Sequence, residues 1–99
     1  MRVFRQYVRH PGFIHGSSLG VLSDPKGVVE IVRRVSPETL VVLDAVCAVA
    51  SEDIRMDEWA IDVVVSASQK GLSAPPGLSV VLVSQKAMKV RIICSTQCR

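Results

Sequence analysis

Two apolar, β-branched runs without polar alternation dominate the chain: Leu40-Val41-Val42-Leu43, closing on Asp44, and Val63-Val64-Val65, which continues through Ser66 and Ala67 towards Lys70. Strands that lack alternation are buried on both faces, the habit of parallel sheets. The connector at 45–62 is long enough to cross over and start a parallel neighbour. A third apolar run, Leu78 to Val83, reads as another strand, and Ser84 caps a short helix through Lys89. Upstream, Asp24-Pro25 places an acceptor at N-cap and proline at the first helical position. Val28, Val29, Val32 and Val35 then recur at helical spacing, with Lys26, Glu30, Arg33 and Arg34 elsewhere around the helix. Ser36-Pro37-Glu38-Thr39 ends that helix and leads into the first strand. The alternation predicts an α/β fold: part of a layered, mostly parallel sheet with flanking helices.

The remaining stretches are shorter. Gly12-Phe13-Ile14-His15 reads as a short strand, followed by a Gly16-Ser17-Ser18-Leu19-Gly20 loop. Glycines and hydroxyls at a strand end can present N–H and O–H groups to an anion or a phenolic oxygen. Ala45 to Ala50 is small and apolar, Arg55 to Asp62 a short helical turn with Trp59 as a core anchor, and Pro75-Pro76-Gly77 a rigid turn. Residues 1–11 and the stretch from 91 onward show no clean period. No repeat or linker divides the chain.

Composition narrows the function classes. A 99-residue chain builds at most one small domain, and 48% hydrophobic residues suit a piece of a larger interior. The net charge of +3 gathers at the two ends, and four aromatic residues are too few for a basic, aromatic-interleaved nucleic-acid face. No apolar run is long enough for a membrane-spanning helix, and the basic start lacks a signal-peptide core. Three cysteines, Cys47, Cys94 and Cys98, form no disulfide framework and no four-ligand metal set. An intracellular, metal-free protein is expected, with peroxisome, mitochondrion and cytoplasm not distinguished.

Parallel strands bring their C-terminal ends to one edge, where open α/β sheets bind ligands. Asp44 and Lys70 would share that edge. Singly, an aspartate at a strand end is a turn residue and a lysine there is solvated. Together at buried strand mouths they are costly opposite charges, which marks a functional pair. A ligand with an electrophilic carbonyl and a basic ring nitrogen suits them, and pyridoxal phosphate is one.

Ser68-Gln69-Lys70-Gly71-Leu72 with Pro75-Pro76-Gly77-Leu78 resembles the class V aminotransferases, closest to the alanine–glyoxylate and serine–pyruvate enzymes. The likeness runs upstream through Arg55 to Asp62 and Val42-Leu43-Asp44-Ala45-Val46, and reaches His15 to Leu22. It covers residues 13–90, as part of the large domain of fold type I pyridoxal-phosphate enzymes, and leaves 1–12 and 91–99 unassigned. The resemblance implies that Lys70 binds the cofactor covalently and carries protons. It implies that Asp44 pairs with the pyridinium nitrogen and that Val46 lies on a ring face. Gln69 and Ser68 would contact the cofactor phosphate, and Ser18 would lie near the phenolic oxygen. Burial of Lys70 in an apolar strand mouth would favour the neutral amine that attack requires.

The implied reaction moves the amino group of alanine or serine to glyoxylate or pyruvate, with small amino-acid and 2-oxo-acid substrates and a homodimer for an intact member. A related lyase or desulfurase is the neighbouring alternative; those enzymes place histidine before the lysine, where this chain has Gln69. The other alternative is a non-catalytic α/β remnant. The family's acidic residue after His-Gly is absent, and Leu19 stands at its threonine position. No residues match the family's Gly/Ser phosphate loop, its stacking aromatic ring or its substrate-carboxylate arginine. The chain therefore reads as the middle of a cofactor domain, either a truncated product or an incomplete gene model, without measurable transamination on its own.

Overall fold

A computed structural model gives the fold and describes residues 23–90. The strand expected at 12–15, the loop containing Ser18 and both unassigned ends lie outside the described residues.

Helix α1 spans Pro25–Val35. Asp24 caps it, its Oδ1 accepting from the Gly27 amide at 3.0 Å, and the Ser36 amide closes it on the Val32 carbonyl at 2.8 Å. Arg33 and Arg34 fall in the last turn, where the helix dipole favours cations. The apolar stripe is narrower than its four valines suggest. Val29 is buried and Val32 partly so, whereas Val35 is 78% exposed. Val35 sits about 120° around the helix from Val29, so it turns away from the buried side.

Strand β1 (Val42–Asp44) runs parallel to β2 (Val63–Ala67), with Val42 opposite Val63, Leu43 opposite Val64 and Asp44 opposite Val65. Strand β3 (Ser79–Val83) lies on the other side of β2 and is antiparallel to it. Among the described residues the sheet is thus mixed, with one parallel and one antiparallel pairing. The 68–78 connector explains this: it turns back through Pro76 and Gly77, whose φ of +135° suits only glycine, and contains no crossover helix. A short helix at 85–90 follows β3, capped by Ser84, whose Oγ accepts from the Ala87 amide at 3.1 Å.

One core joins helix and sheet. Val29, Val41, Leu43, Ala45, Ala48, Ile61 and Val64 form it, with Val32, Val49, Ile54, Met56 and Trp59 packed around. Trp59 is the core anchor its sequence position suggests. The turn that carries it ends in a Schellman arrangement, with the Ile61 amide on the Met56 carbonyl, the Ala60 amide on that of Asp57, and Ala60 at φ 56°. Burial on both faces, expected for the apolar runs, holds only in part. Val64 and Ser66 are buried on one face of β2, while Val81, Leu82 and Val83 of β3 are exposed. Among the described residues β3 has one neighbouring strand, β2.

Candidate functional site

The C-terminal ends of β1 and β2 meet at one edge of the sheet, because parallel pairing gives both strands the same direction. Asp44 ends β1, and its side chain folds back so that Oδ1 accepts the Val46 amide at 3.2 Å. Its other oxygen, Oδ2, meets no protein donor among the described residues. The chain then turns through 46–50 above the core, with Ala45 and Ala48 wholly buried and Val46 half-buried. The Ala45 amide still bonds to the Val65 carbonyl at 2.9 Å, which extends the β1–β2 ladder to the base of this turn.

From β2 the chain enters the turn holding Ser68, Gln69 and Lys70. Ser68 is buried, and its hydroxyl donates to the Pro75 carbonyl at 2.7 Å. The Ala74 amide bonds to the Ser68 carbonyl at 3.0 Å and the Ser73 amide to that of Lys70 at 2.9 Å, so 68–75 is a closed loop. The Ser68 hydroxyl proton is thereby committed within the protein. Gln69 and Lys70 stand outward, and the Lys70 amine has no hydrogen-bond partner among the described residues.

Asp44 and Lys70 therefore share the sheet edge without a salt bridge, the arrangement that parallel strands demand. Their burial does not follow the sequence expectation. Both are exposed: Asp44 is the last residue of β1, Lys70 lies beyond the end of β2, and no described element covers that edge. The six candidate positions divide accordingly. Asp44, Val46, Ser68, Gln69 and Lys70 lie at the edge or in the turns above it, and Ser18 falls outside the described residues.

The two turns touch at Gly71. A Cβ there would overlap the Val49 carbonyl oxygen and come within 2.8 Å of the Ser51 Oγ. Sequence reading gave Gly71 and Ser51 no role, since close approach between distant turns leaves no local signal.

The opposite ends of the parallel strands carry a buried polar junction. Asp62 is 3% exposed. Its Oδ2 accepts from Arg33 Nη2 at 2.5 Å and from the Val41 amide at 2.7 Å. Arg33 also donates to the carbonyls of Thr39 at 2.6 Å, Ala60 at 2.5 Å and Pro37 at 3.2 Å. Arg33, placed off the valine stripe of α1, thus turns its guanidinium inward to this junction. A shallow groove of about 340 Å³ runs beside it, lined by Lys26, Glu30, Arg34 and Trp59 among others. It contains neither Asp44 nor Lys70.

The sequence profile described as "Aminotransferase class-V" matches residues 13–92. The chain belongs to the class-V aminotransferase family. Alanine–glyoxylate aminotransferase 1 of Saccharomyces cerevisiae is 44% identical over 72 residues, 73% of this chain and 19% of that protein. The serine–glyoxylate aminotransferase of Hyphomicrobium methylovorum is 42% identical over 74 residues, 75% of this chain and 18% of that protein. Among solved structures, an aspartate aminotransferase of subgroup IV from Thermus thermophilus superposes with a TM-score of 0.68 at 33% identity, covering 71% of this chain and 20% of that one. The ureidoglycine–glyoxylate aminotransferase of Bacillus subtilis gives 0.67 at 26% identity, covering 75% and 19%. The chain thus spans about a fifth of the length of these class-V relatives, and its α/β piece has the fold of aminotransferases.

Proposed function

We propose that residues 13–90 supply part of the cofactor domain of a pyridoxal-phosphate-dependent aminotransferase, in which Lys70 is the lysine that engages the cofactor aldehyde. The observation that supports this reading is the β1–β2 register. With Asp44 opposite Val65, a carboxylate and an amine stand at the same sheet edge on neighbouring turns. The donor set fits the group. Among the described residues Asp44 Oδ2 and the Lys70 amine have no protein partner, so they can meet a protonated ring nitrogen and an aldehyde; Gln69 offers an outward amide for phosphate oxygens, and Val46 offers an apolar surface to a ring.

When bound, the cofactor supplies an electron sink for a substrate amino acid. The protein's part is placement and proton transfer. Asp44 would hold the ring nitrogen protonated by a charge-assisted hydrogen bond, and Lys70 Nζ would take and return the proton at the substrate Cα. The names of these relatives support alanine or serine as donor and glyoxylate as acceptor; pyruvate as an alternative acceptor is part of the proposal. A homodimeric intact protein belongs to the same proposal.

The test exploits the chain's four lysines, Lys26, Lys70, Lys86 and Lys89. The full chain is mixed with pyridoxal phosphate, reduced with borohydride, digested and mapped by mass. The expected result is labelling of Lys70 well ahead of the other three. Uniform labelling of all four would remove the cofactor assignment.

A further inference from the structure

We infer that Gly71 is a positioning residue for Lys70, setting where its amine stands above the sheet edge; the ligand served by that amine rests on the proposed function. The backbone of Gly71 lies outside the left-handed region, unlike that of Gly77, so conformation alone would admit any residue at 71. What it requires is space. A Cβ at Gly71 would collide with the Val49 carbonyl oxygen, a backbone atom that no rotamer change can move aside.

Which side would yield follows from how each turn is held. The 45–51 turn is anchored on the core. Ala45 and Ala48 are fully buried, and the Ala45 amide is tied to Val65 of β2. The Val49 amide bonds to the Ala45 carbonyl at 3.0 Å, and the amides of Ser51 and Glu52 bond to the Ala48 carbonyl at 2.9 and 2.8 Å. The 68–75 loop is closed on itself by the bonds of Ser68, Ser73 and Ala74, and beyond Ser68 it is largely exposed. It can shift as a unit, and Lys70 is the residue next to the contact. A side chain at 71 would thus displace the lysine and leave the carboxylate side in place. The separation between the two groups would change by on the order of 1 Å, a misplacement that can weaken positioned chemistry about a hundredfold. In the unchanged chain the missing side chain fixes the Lys70 turn against the turn that starts at Asp44.

Two readouts on the full chain test this, each resolved over the four lysines by mass mapping. One is borohydride trapping with pyridoxal phosphate. The other needs no cofactor: the acetylation profile over the four lysines after brief treatment with acetic anhydride at one fixed pH. In Gly71→Ala, trapping at Lys70 should fall about tenfold or more relative to Lys26, Lys86 and Lys89. The share of Lys70 in that profile should move while the ratios among the other three lysines stay in place. Ser51→Leu adds bulk from the exposed side of the same contact and should reproduce both changes, which covers the case in which Gly71→Ala does not fold. Ser51→Ala, which adds no bulk, should match the unchanged chain. Wild-type trapping and an unmoved Lys70 share in both Gly71→Ala and Ser51→Leu would overturn the positioning role, as would an equal effect from Ser51→Ala. A starting chain with no Lys70 preference in trapping, but whose Lys70 share of acetylation moves in both bulky variants, would overturn the cofactor reading and leave the positioning role standing.

Discussion

Arg33 reaches across from α1 to Asp62 at the start of β2, and the carboxylate oxygen it binds also holds the Val41 amide ahead of β1. One buried carboxylate therefore fixes the helix and both parallel strands at the end opposite Lys70. The Asp62 carbonyl extends the junction further, accepting the Ser84 amide at 2.8 Å before the last helix.

Removing either partner leaves buried polar groups unpaired. Asp62→Ala should destabilise the chain by about 3–5 kcal/mol, the range for breaking a buried pair. Arg33→Lys should also cost stability, because an ammonium cannot span the four acceptors the guanidinium fork serves. Denaturant midpoints of the two variants and their double mutant would measure this. Additive losses would show that the two side chains act separately.

Asp44→Asn separates the turn role of Asp44 from its proposed chemical role. Asparagine Oδ1 can still accept the Val46 amide, so stability should change by no more than about 0.5 kcal/mol. The charge-assisted bond to a protonated ring nitrogen would be lost, and affinity for pyridoxal phosphate should fall about tenfold or more. Thermal melts paired with a binding titration would read both. A large stability loss would make Asp44 a structural residue first.

Lys70→Ala should abolish borohydride-trapped labelling at the sheet edge while leaving the fold within about 0.5 kcal/mol of the parent, since the side chain is exposed and unpaired among the described residues. Circular dichroism on the same samples supplies the control.

Ala60→Gly should stabilise the chain by about 1 kcal/mol. Ala60 holds φ 56° at the end of the Trp59 turn, where a Cβ is disfavoured and glycine is not. The measurement is a shift in melting temperature. No gain would mean that the flexibility glycine adds to the unfolded chain cancels the relieved strain.

The elements were legible wherever the signal was local. Asp24-Pro25 marks the start of α1, the unalternated valines mark β1 and β2, and Ser84 marks the final turn of helix. The sheet edge shared by Asp44 and Lys70 was legible too, because two apolar runs and a long connector imply parallel strands. Three features were not. The antiparallel return of β3 depends on a loop that closes on itself through Ser68. The Arg33–Asp62 junction pairs residues 29 apart in sequence, and a helix-surface arginine gives no hint of an inward fork. Gly71 looks like any turn glycine until Val49 is seen against it.

Strand β3 has a sequence suited to an interior, Ser79-Val80-Val81-Leu82-Val83, yet stands at a rim with most of its side chains in solvent. Among the described residues its outer backbone edge has no strand partner, and that edge with its apolar side chains can accept another strand. Folding within one chain is first order and indifferent to concentration, whereas strand addition between copies is second order. The balance between the two is therefore set by how much protein is present. For this chain, dilution favours the folded monomer.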